Sequence, residues 1–440
     1  MKRLLYLLAV LLCPAFADTP TAIAIQNARI VPVSGPAIER GTVLLRNGLI
    51  QAVGANVNVP SDAWIIDGAG LTVYPGLIDA LSTVGIPEIP ASQRGTGAAP
   101  AYARGPEDRP STTSWQNAAD LIRTSDPRIE TFRSSGFTTT VTFPTQGIFA
   151  GQGAAIDLAG DKAGQMVVAS TVGQYLTLSN NGFGGGFPGS LMGTISYIRQ
   201  VYLDADYYKK AKEFYTAHPR GNARPEYDRA LEGVLASPRI LLPASRRVDV
   251  DRMLRFAQEL KQSAVLYDLT EGYRSADLLK KANATVLVNL KWPEKPPNDN
   301  PAESDVLQTL EVRDNAPTTP SVLAKSGVRF AFYSGGITRR ADLLKAVKRA
   351  LDAGLSQDDA IKAMTLSPAE IYGLADRLGS IEPGKIANLV VSKGNLFDEK
   401  STIQYVFVDG AKYEPVPEPP PGPGGPNRGG DRTPTPGDPQ

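Results

Sequence analysis

Short apolar runs alternate with turn residues from about residue 21 to residue 74, the pattern of a small β-sheet. Asn47-Gly48 separates two of these runs, and both residues tolerate the positive φ of a tight hairpin. A similar pattern returns near the other end, where Asp409-Gly410 is a second turn signal. Each half alone leaves an apolar face uncovered, so we expect one β-sandwich built from both chain ends, residues 18–75 and 379–413. The predicted strands are Ala22–Ile30, Gly41–Arg46, Leu49–Val53, Trp64–Asp67, Ala387–Val391 and Tyr405–Val408.

Between the two ends, continuous apolar runs alternate with helical patterns. Strands that are apolar along their length, with helices between them, indicate a parallel sheet buried on both faces. Six such strands, with an ambiguous stretch from Gly147 to Thr171, predict an α/β fold with an eight-stranded (β/α)8 TIM-type barrel over residues 76–378. The strands are Gly76–Leu81, Thr138–Phe143, Ile240–Ala244, Ala264–Leu269, Thr285–Leu290 and Val328–Tyr333, and the clearest helices are Val250–Gln262, Ser275–Ala282 and Arg340–Ala353.

The two termini have patterns that do not belong to a packed domain. Lys2 and Arg3 precede an apolar stretch, and Ala15-Phe16-Ala17 fits a signal-peptide cleavage site, so residues 1–17 are predicted to be a signal peptide. The apolar stretch is too short to span a bilayer, so we expect a secreted or periplasmic protein with no membrane span in the mature chain. Residues 414–440, rich in Pro and Gly, are predicted to be a disordered tail.

Composition removes several kinds of chemistry. The 440 residues carry 46 Lys and Arg against 45 Asp and Glu, so no charge excess points to a nucleic-acid partner. Cys13 is the chain's single cysteine and lies inside the predicted signal peptide, which excludes a cysteine nucleophile and a zinc–thiolate site in the mature protein. The single histidine, His218, precedes Pro219 at a predicted helix end, and we expect it at the surface.

Several motifs resemble those of the amidohydrolase superfamily, in particular its imidazolonepropionase-like exported members. The resemblance implies a barrel with a composite sandwich, and hydrolysis of non-peptide C–N bonds or of dipeptide-like substrates. Asn388 stands where the family usually has Asp. The matching segments are Asn27–Val31, Gly41–Gly54, Tyr74–Asp79, Leu366–Glu370 and the run Gly379-Ser380-Ile381-Glu382-Pro383-Gly384-Lys385 up to Val391.

The resemblance also implies metal ligands that this chain lacks. In the superfamily, histidines at the carboxyl ends of barrel strands hold a divalent metal, which lowers the pKa of bound water. The first-strand histidine pair falls on Leu81 and Thr83. A second pair falls on Pro243 and Ser245, and Gly335 takes the place of the late-strand aspartate. We therefore expect no metal, no cofactor and no catalytic residue of the family set.

The remaining polar residues at predicted strand ends define a candidate pocket. Asp79 is either a remnant of the metal site or a structural carboxylate, and we favour the structural role. Asp268 and Glu271 form a metal-free acid/base pair or lie in a solvated loop, and we favour the loop. We expect Arg339-Arg340 to be a helix-start surface pair, and Tyr197, Tyr202, Tyr207 and Tyr208 to pack on the barrel. The candidate pocket is Asp79, Thr83, Ser245, Tyr267, Asp268, Asn289 and Ser334.

Two functions stay open. The first is a catalytically impaired binding or partner subunit, with a small-molecule ligand at the barrel mouth, and either self-assembled or paired with an active amidohydrolase relative. The second is an active hydrolase that uses a metal-free or remodelled carboxylate site. We favour the first, because a retained metal site would keep several of its ligands.

Overall fold

A computed structural model describes residues 22–87, 109–178, 188–295 and 305–417. Strands from both chain ends form one eight-stranded sheet in the order β16-β15-β14-β5-β1-β2-β3, with β4 paired to β1. The two ends join where β5 runs antiparallel to β14, with Leu389 opposite Pro75. The strands are β1 Ala22–Ile30, β2 Ile38–Arg46, β3 Leu49–Gly54, β4 Trp64–Asp67, β5 Leu71–Pro75, β14 Leu389–Lys393, β15 Thr402–Val408 and β16 Ala411–Tyr413.

The two predicted hairpin turns form and meet. Asn47-Gly48 connects Arg46 to its partner Leu49, and both turn residues have positive φ. Asp409-Gly410 does the same between β15 and β16. The backbone N–H of Ala387 donates to Gly48 O at 2.8 Å, so the first hairpin folds back onto the strand entering from the other chain end. The sheet thereby curls over its own apolar face.

The second eight-stranded sheet has the order β13-β12-β11-β10-β9-β8-β7-β6. Its interior holds a cluster of buried apolar side chains to which every one of its strands contributes, which requires the sheet to curl around them into the (β/α) barrel. The strands are β6 Leu77–Ser82, β7 Phe137–Thr142, β8 Phe149–Asp157, β9 Val167–Leu176, β10 Ile240–Pro243, β11 Ala264–Tyr267, β12 Thr285–Asn289 and β13 Arg329–Tyr333.

Helices cover the barrel, and most of their buried apolar residues belong to a separate outer core, whereas Ala369 and Tyr372 of the last helix belong to the interior cluster. The longest, α4, has 27 residues and follows β9. The helices are α1 Ala118–Leu121, α2 Arg128–Ser134, α3 Ala163–Met166, α4 Leu191–Ala217, α5 Arg229–Ala236, α6 Arg247–Glu259, α7 Ala276–Lys281, α8 Leu307–Asn315, α9 Thr319–Ser326, α10 Arg340–Asp352, α11 Gln357–Ala363 and α12 Leu366–Tyr372.

The expectation of a wholly parallel sheet is wrong at two strand pairs. The stretch that the sequence left ambiguous forms β8 and β9, and β8 runs antiparallel to both β7 and β9. The remaining neighbours are parallel. The reason is connection length, because about six residues join β7 to β8 and about nine join β8 to β9, fewer than a parallel crossover needs.

Some predictions fall on residues outside the described ranges. The signal peptide, 1–17, lies there, as does most of the Pro/Gly tail, of which only 414–417 are described. Within the described part of the chain, no helix combines the length and the apolarity that crossing a bilayer requires.

Candidate functional site

Asp79 and Ser334 form a buried pair that links the first and last barrel strands. The backbone N–H of Ser334 donates to Asp79 Oδ1 at 2.8 Å, and its hydroxyl donates to Oδ2 at 2.7 Å. Asp79 is fully buried, and burial raises the pKa of its carboxyl to about 7 although both bonds from Ser334 oppose the rise. Both carboxylate oxygens are already occupied by protein donors, so Asp79 serves as a strut between β6 and β13.

Gly335 occupies a position where this fold leaves no room for a side chain. Its φ is +60°, and a Cβ built there would lie 2.0 Å from Oδ1 of Asn289. That oxygen accepts a hydrogen bond from the backbone of Lys291 at 2.9 Å, which fixes the amide in place. An aspartate at 335 is therefore incompatible with the present position of Asn289.

Asp268 lies directly after β11 and is the carboxylate of the candidate pocket that keeps partial exposure. Its backbone has φ +65°, and the Tyr333 hydroxyl lies 3.4 Å from its Oδ1. Partial burial raises the pKa of Asp268, while hydrogen bonds from Asn289 and Tyr333 oppose the rise. The strand ends of β11, β12 and β13 thus bring Asp268, Asn289 and Tyr333 together.

Aromatic rings fill the space next to this group. Tyr267 stacks on Tyr175 with ring centroids 4.9 Å apart and an interplanar angle of 26°. The Tyr267 hydroxyl donates to Leu176 O at 3.0 Å, and Phe143 lies 5.9 Å from Tyr175. Burial raises the pKa of Tyr267 well above its ordinary value, so the phenol stays neutral. Tyr267 is thus a packed core residue of the barrel interior rather than a free pocket group.

The other two members of the candidate pocket are held by local partners. Ser245 donates from its hydroxyl to Thr270 Oγ1 at 3.1 Å, and its carbonyl accepts from Glu271 N at 2.9 Å, which ties β10 to the loop after β11. Thr83 Oγ1 accepts from Arg128 Nη1 at 3.1 Å. Its partner therefore comes from α2, whereas Asp79 is bonded to Ser334 and Asp268 to Asn289 across barrel strands.

The family's metal does not fit these residues. Leu81 is 8% exposed and belongs to the apolar interior cluster, and Gly335 excludes a carboxylate. Thr83 points its hydroxyl to an arginine, which is the wrong neighbour for a cation. Among the described residues there is no group of three or more His, Cys, Asp or Glu side chains that could hold a metal ion.

The structure confirms some of the predictions for the other polar residues and contradicts others. His218 is exposed at the end of α4, as expected. Glu271 is only 7% exposed, so the expectation of a solvated loop is wrong for it. Its backbone N–H donates to Ser245 O after β10, and its carboxylate accepts from the backbone of Arg247 at the start of α6. Arg340 donates to Leu396 O and to Ser401 Oγ, both at 2.9 Å, which makes it a structural clamp.

The four tyrosines of α4 divide between its two faces. Tyr197, Tyr202 and Tyr208 are buried against the outer core, as expected. Tyr207 is 76% exposed, so its predicted packing on the barrel is wrong. The helix turns it away by about 100° from Tyr208 and onto the opposite side from Ala205.

Sequence reasoning missed Tyr175, Tyr333 and Tyr372 at this site. Tyr372, from α12, donates from its hydroxyl to Ala80 O at 2.7 Å, and its ring lies 6.3 Å from Phe143. The sequence did contain an indication for Tyr333, because this residue ends a predicted apolar strand directly before the segment where Gly335 takes the place of the family's aspartate. Tyr372 carried no signal, because it reaches the interior from a helix far along the chain.

Comparisons with known proteins agree with this architecture. The model of the amidohydrolase family matches residues 231–412. A curated dihydroorotase from Pelobacter propionicus is 38% identical over 55 residues, which is 12% of this chain and only 13% of that protein.

Solved structures extend the likeness over most of the chain. An amidohydrolase from Thermotoga maritima MSB8 superposes with a TM-score of 0.73 at 29% identity, over 89% of this chain and 100% of that one. A putative prolidase from Bifidobacterium longum, at 16% identity and a TM-score of 0.54 over 91% of this chain and 96% of that one, shares the fold. So does a prolidase in complex with N-methylphosphonate-L-proline, at 18% identity and a TM-score of 0.53 over 90% and 100%. The match of the family model to residues 231–412, together with the likeness to the Thermotoga maritima amidohydrolase over 89% of the chain, identifies the chain as a member of the amidohydrolase superfamily.

Proposed function

We propose that this protein is an amidohydrolase-superfamily member that does not catalyse metal-dependent hydrolysis and acts as an exported binding or partner subunit. One observation carries the proposal: at the strand ends where the family builds its metal site, the side chains present are packed or bonded to one another. Leu81 joins the apolar interior, and both carboxylate oxygens of Asp79 accept hydrogen bonds from Ser334.

The electrostatics of Asp79 support the same conclusion. A catalytic carboxylate must keep an open oxygen for water or substrate. Asp79 has no exposed surface, and Ser334 occupies one lone pair on each oxygen at 2.7–2.8 Å. Burial raises the pKa of Asp79, and no charged neighbour contributes to the rise.

The binding role is supported by the half-buried polar rim beside the aromatic interior. Asp268, Asn289 and Ser245 retain partial exposure at neighbouring strand ends. A small polar ligand with a hydrogen-bond donor suits a partly desolvated carboxylate flanked by the Tyr333 hydroxyl. We place the ligand at this rim.

A metal-free hydrolase is the second candidate, and Asp268 is the observation that favours it. The residue combines a strained φ of +65°, a raised pKa and a tyrosine hydroxyl at 3.4 Å. Strain and perturbed acidity are found together at functional sites. In this alternative Asp268 is the general base.

The experiment is a joint measurement of metal content and turnover on the purified mature chain. The protein is incubated with excess Zn²⁺ or Mn²⁺, desalted and analysed for bound metal, then assayed with a panel of N-acyl amino acids and dipeptides. We expect less than one tenth of a metal ion per chain and no turnover above a blank. Bound metal near one ion per chain would overturn the proposal.

Two variants separate the candidates. If hydrolysis is seen and Asp268→Asn abolishes it while Asp314→Asn, an exposed helical control, does not, the metal-free enzyme is the correct function. For the binding role, ligands that raise the melting temperature of the wild type should lose their effect in Asp268→Asn and keep it in Asp314→Asn. Equal shifts in both variants would place the ligand elsewhere.

A further inference from the structure

The helix α4 is apolar on two opposite faces. One face, with Ile198, Val201 and Ala205, is buried in the outer core. On the other face, Met192, Leu203 and Phe214 recur every 11 residues and are 79%, 64% and 56% exposed. A spacing of 11 residues corresponds to about three helical turns, so these side chains form a straight stripe. Tyr207 lies beside it, one turn after Leu203.

A stripe of this kind calls for an explanation, because scattered exposed apolar residues are ordinary but an aligned series is not. The helix is 27 residues long, or about 40 Å, and the stripe spans most of it. We name the set Met192, Leu203, Tyr207 and Phe214 the α4 stripe.

The charges along the α4 stripe indicate what covers it. Asp206 and Lys210 lie between Leu203 and Phe214, in the second half of the stripe, bonded to one another at 2.6 Å and both well exposed. In an antiparallel pair of α4 helices whose twofold axis crosses midway between them, Asp206 of each copy lies opposite Lys210 of the other. A parallel pair would instead place each charge opposite its own kind. The pattern is therefore self-complementary in the antiparallel arrangement alone.

Three of the four apolar members, Leu203, Tyr207 and Phe214, follow the same symmetry, whereas Met192 lies outside the stretch of α4 that the two copies share. With the axis midway between Asp206 and Lys210, Leu203 of one copy falls opposite Phe214 of the other to within one residue. The two contacts are related by the twofold axis, as an isologous interface requires. Tyr207 lies near the axis and meets its own copy.

A groove lies next to the α4 stripe on one side. It has a volume of about 810 Å³ and is lined by Tyr207, Ala211, Pro225 and Tyr227, with Tyr227 73% exposed. Arg109 bridges Asp204 at 2.8 Å and Asp228 at 3.0 Å, which fastens the segment before α5 to α4. The groove adds these aromatic and aliphatic side chains to the edge of the α4 stripe, while its charged lining forms a polar rim beside the stripe, as at the margin of a protein interface. The charged residues are Arg109, Asp204, Arg224, Glu226, Asp228 and Arg229.

We infer that the α4 stripe is the interface of a homodimer, in which the α4 helices of two copies of this chain pack antiparallel. The surface faces away from the barrel interior. The inference therefore goes beyond the proposed function, and the two can fail separately. Hydrolytic turnover would overturn the proposed function without affecting the dimer, and a monomeric chain would overturn the dimer without affecting the proposed function.

The test measures the oligomeric state of the mature full chain by light scattering and sedimentation over a range of micromolar concentrations. We expect a dimer, and Leu203→Glu should raise its dissociation constant by about tenfold or more, because the charge would be buried at the contact. Leu307→Glu is the matched control, since Leu307 is a helical leucine that is 71% exposed on α8. The control should leave the dimer intact.

Charge exchange tests the antiparallel geometry. Asp206→Lys alone and Lys210→Asp alone should each weaken the dimer, and mixing the two variants should restore it as a heterodimer, since each lysine then meets an aspartate. Circular dichroism and melting curves confirm that each variant is folded.

A monomer at all concentrations would overturn the inference. A dimer that Leu203→Glu leaves intact, or one that fails to reform on mixing the charge variants, would overturn it as well. So would a chain that is monomeric when pure and uses the α4 stripe only to hold a different barrel protein.

Discussion

Substituting Asn388 by the family's aspartate should destabilise this protein in a pH-dependent way. Asn388 Nδ2 donates to Asp157 Oδ1 at 2.7 Å and to Thr139 Oγ1 at 3.1 Å, while its Oδ1 accepts from the backbone of Asp409 at 2.8 Å. Asp157 is fully buried, and burial raises the pKa of its carboxyl to about 7. Asn388→Asp would replace the donor by a second carboxylate in direct contact with the first.

The magnitude has two parts. Losing a hydrogen bond to a charged group costs about 1.5–3 kcal/mol. Above the pKa of the pair, either two buried charges repel or a proton is taken up, at about 1.4 kcal/mol for each pH unit. We expect a loss of about 3–4 kcal/mol at pH 8, which should shrink to about 1–2 kcal/mol at pH 5, because a shared proton then remakes the bond.

The assay is thermal and urea unfolding of the mature chain, followed by circular dichroism at pH 5, 6, 7 and 8. At about 2 °C per kcal/mol for a chain of this size, the melting temperature at pH 8 should fall by about 6–8 °C. Asn283→Asp, on an exposed turn, is the control and should change little. The double variant Asn388→Asp with Asp157→Asn exchanges donor and acceptor and should recover most of the loss. A variant as stable as the wild type at pH 8, or a double variant without recovery, would refute the reasoning.

Three further predictions test the strand-end packing. The pKa values of Asp79 and Asp157 are raised from 3.8 to about 7, so each carboxyl binds its proton more tightly in the folded chain than in the unfolded chain. The stability that each protonated carboxyl contributes is therefore fully present below about pH 3.8 and is lost as the pH rises through 7. Asp79→Asn should therefore flatten the fall in unfolding free energy between pH 4 and 7 by about 1.4 kcal/mol per pH unit, while Asp314→Asn should leave the slope unchanged. Gly335→Ala should lower the free energy of unfolding in urea by about 2–3 kcal/mol, because it strains the backbone and displaces Asn289. Gly336→Ala, with φ +89° and open space around its Cβ, should lower it by about 1 kcal/mol through strain alone. Equal losses in the two variants would contradict the clash at Gly335. Leu81→His with Thr83→His should lower the melting temperature and still bind no stoichiometric zinc in a metal assay, because the imidazoles would enter an apolar cluster and displace a partner of Arg128.

Most barrel strands could be predicted because strands buried on both faces are apolar along their length, which leaves an unambiguous pattern. Ile240–Pro243 and Thr285–Asn289 begin at their predicted residues and end one residue early. Strand direction is a different matter, since periodicity does not encode it. The antiparallel β8 could still have been found from its short connections to β7 and β9, because a parallel crossover needs a dozen or more residues.

Sequence motifs predicted which residues belong to the candidate site but not how those residues are bonded to one another. The motifs placed Asp79, Asp268, Asn289 and Ser334 on or directly after barrel strands, and the structure bonds Asp79 to Ser334 and Asp268 to Asn289. They could not show which oxygen was already bonded, because Ser334 reaches Asp79 across 255 residues of sequence. The aromatic filling was hidden for the same reason, since Tyr175 and Tyr267 stack from different strands.

The missing family residues share one property that single positions could not reveal. At three of them a neighbour now conflicts with the family's side chain: the Asn289 amide at Gly335, the carboxyl of Asp157 at Asn388, and the apolar cluster at Leu81. Each conflict is local and independent of the others, and of the three positions only Leu81 and Gly335 correspond to metal ligands that the resemblance implies. A metal centre that had lost one ligand would leave its remaining partners in an open, polar cavity. Under the proposed function, the neighbours of Leu81 and Gly335 fill the space that a metal ligand would need, so we expect packing rather than ligand geometry to limit substitution at these two positions.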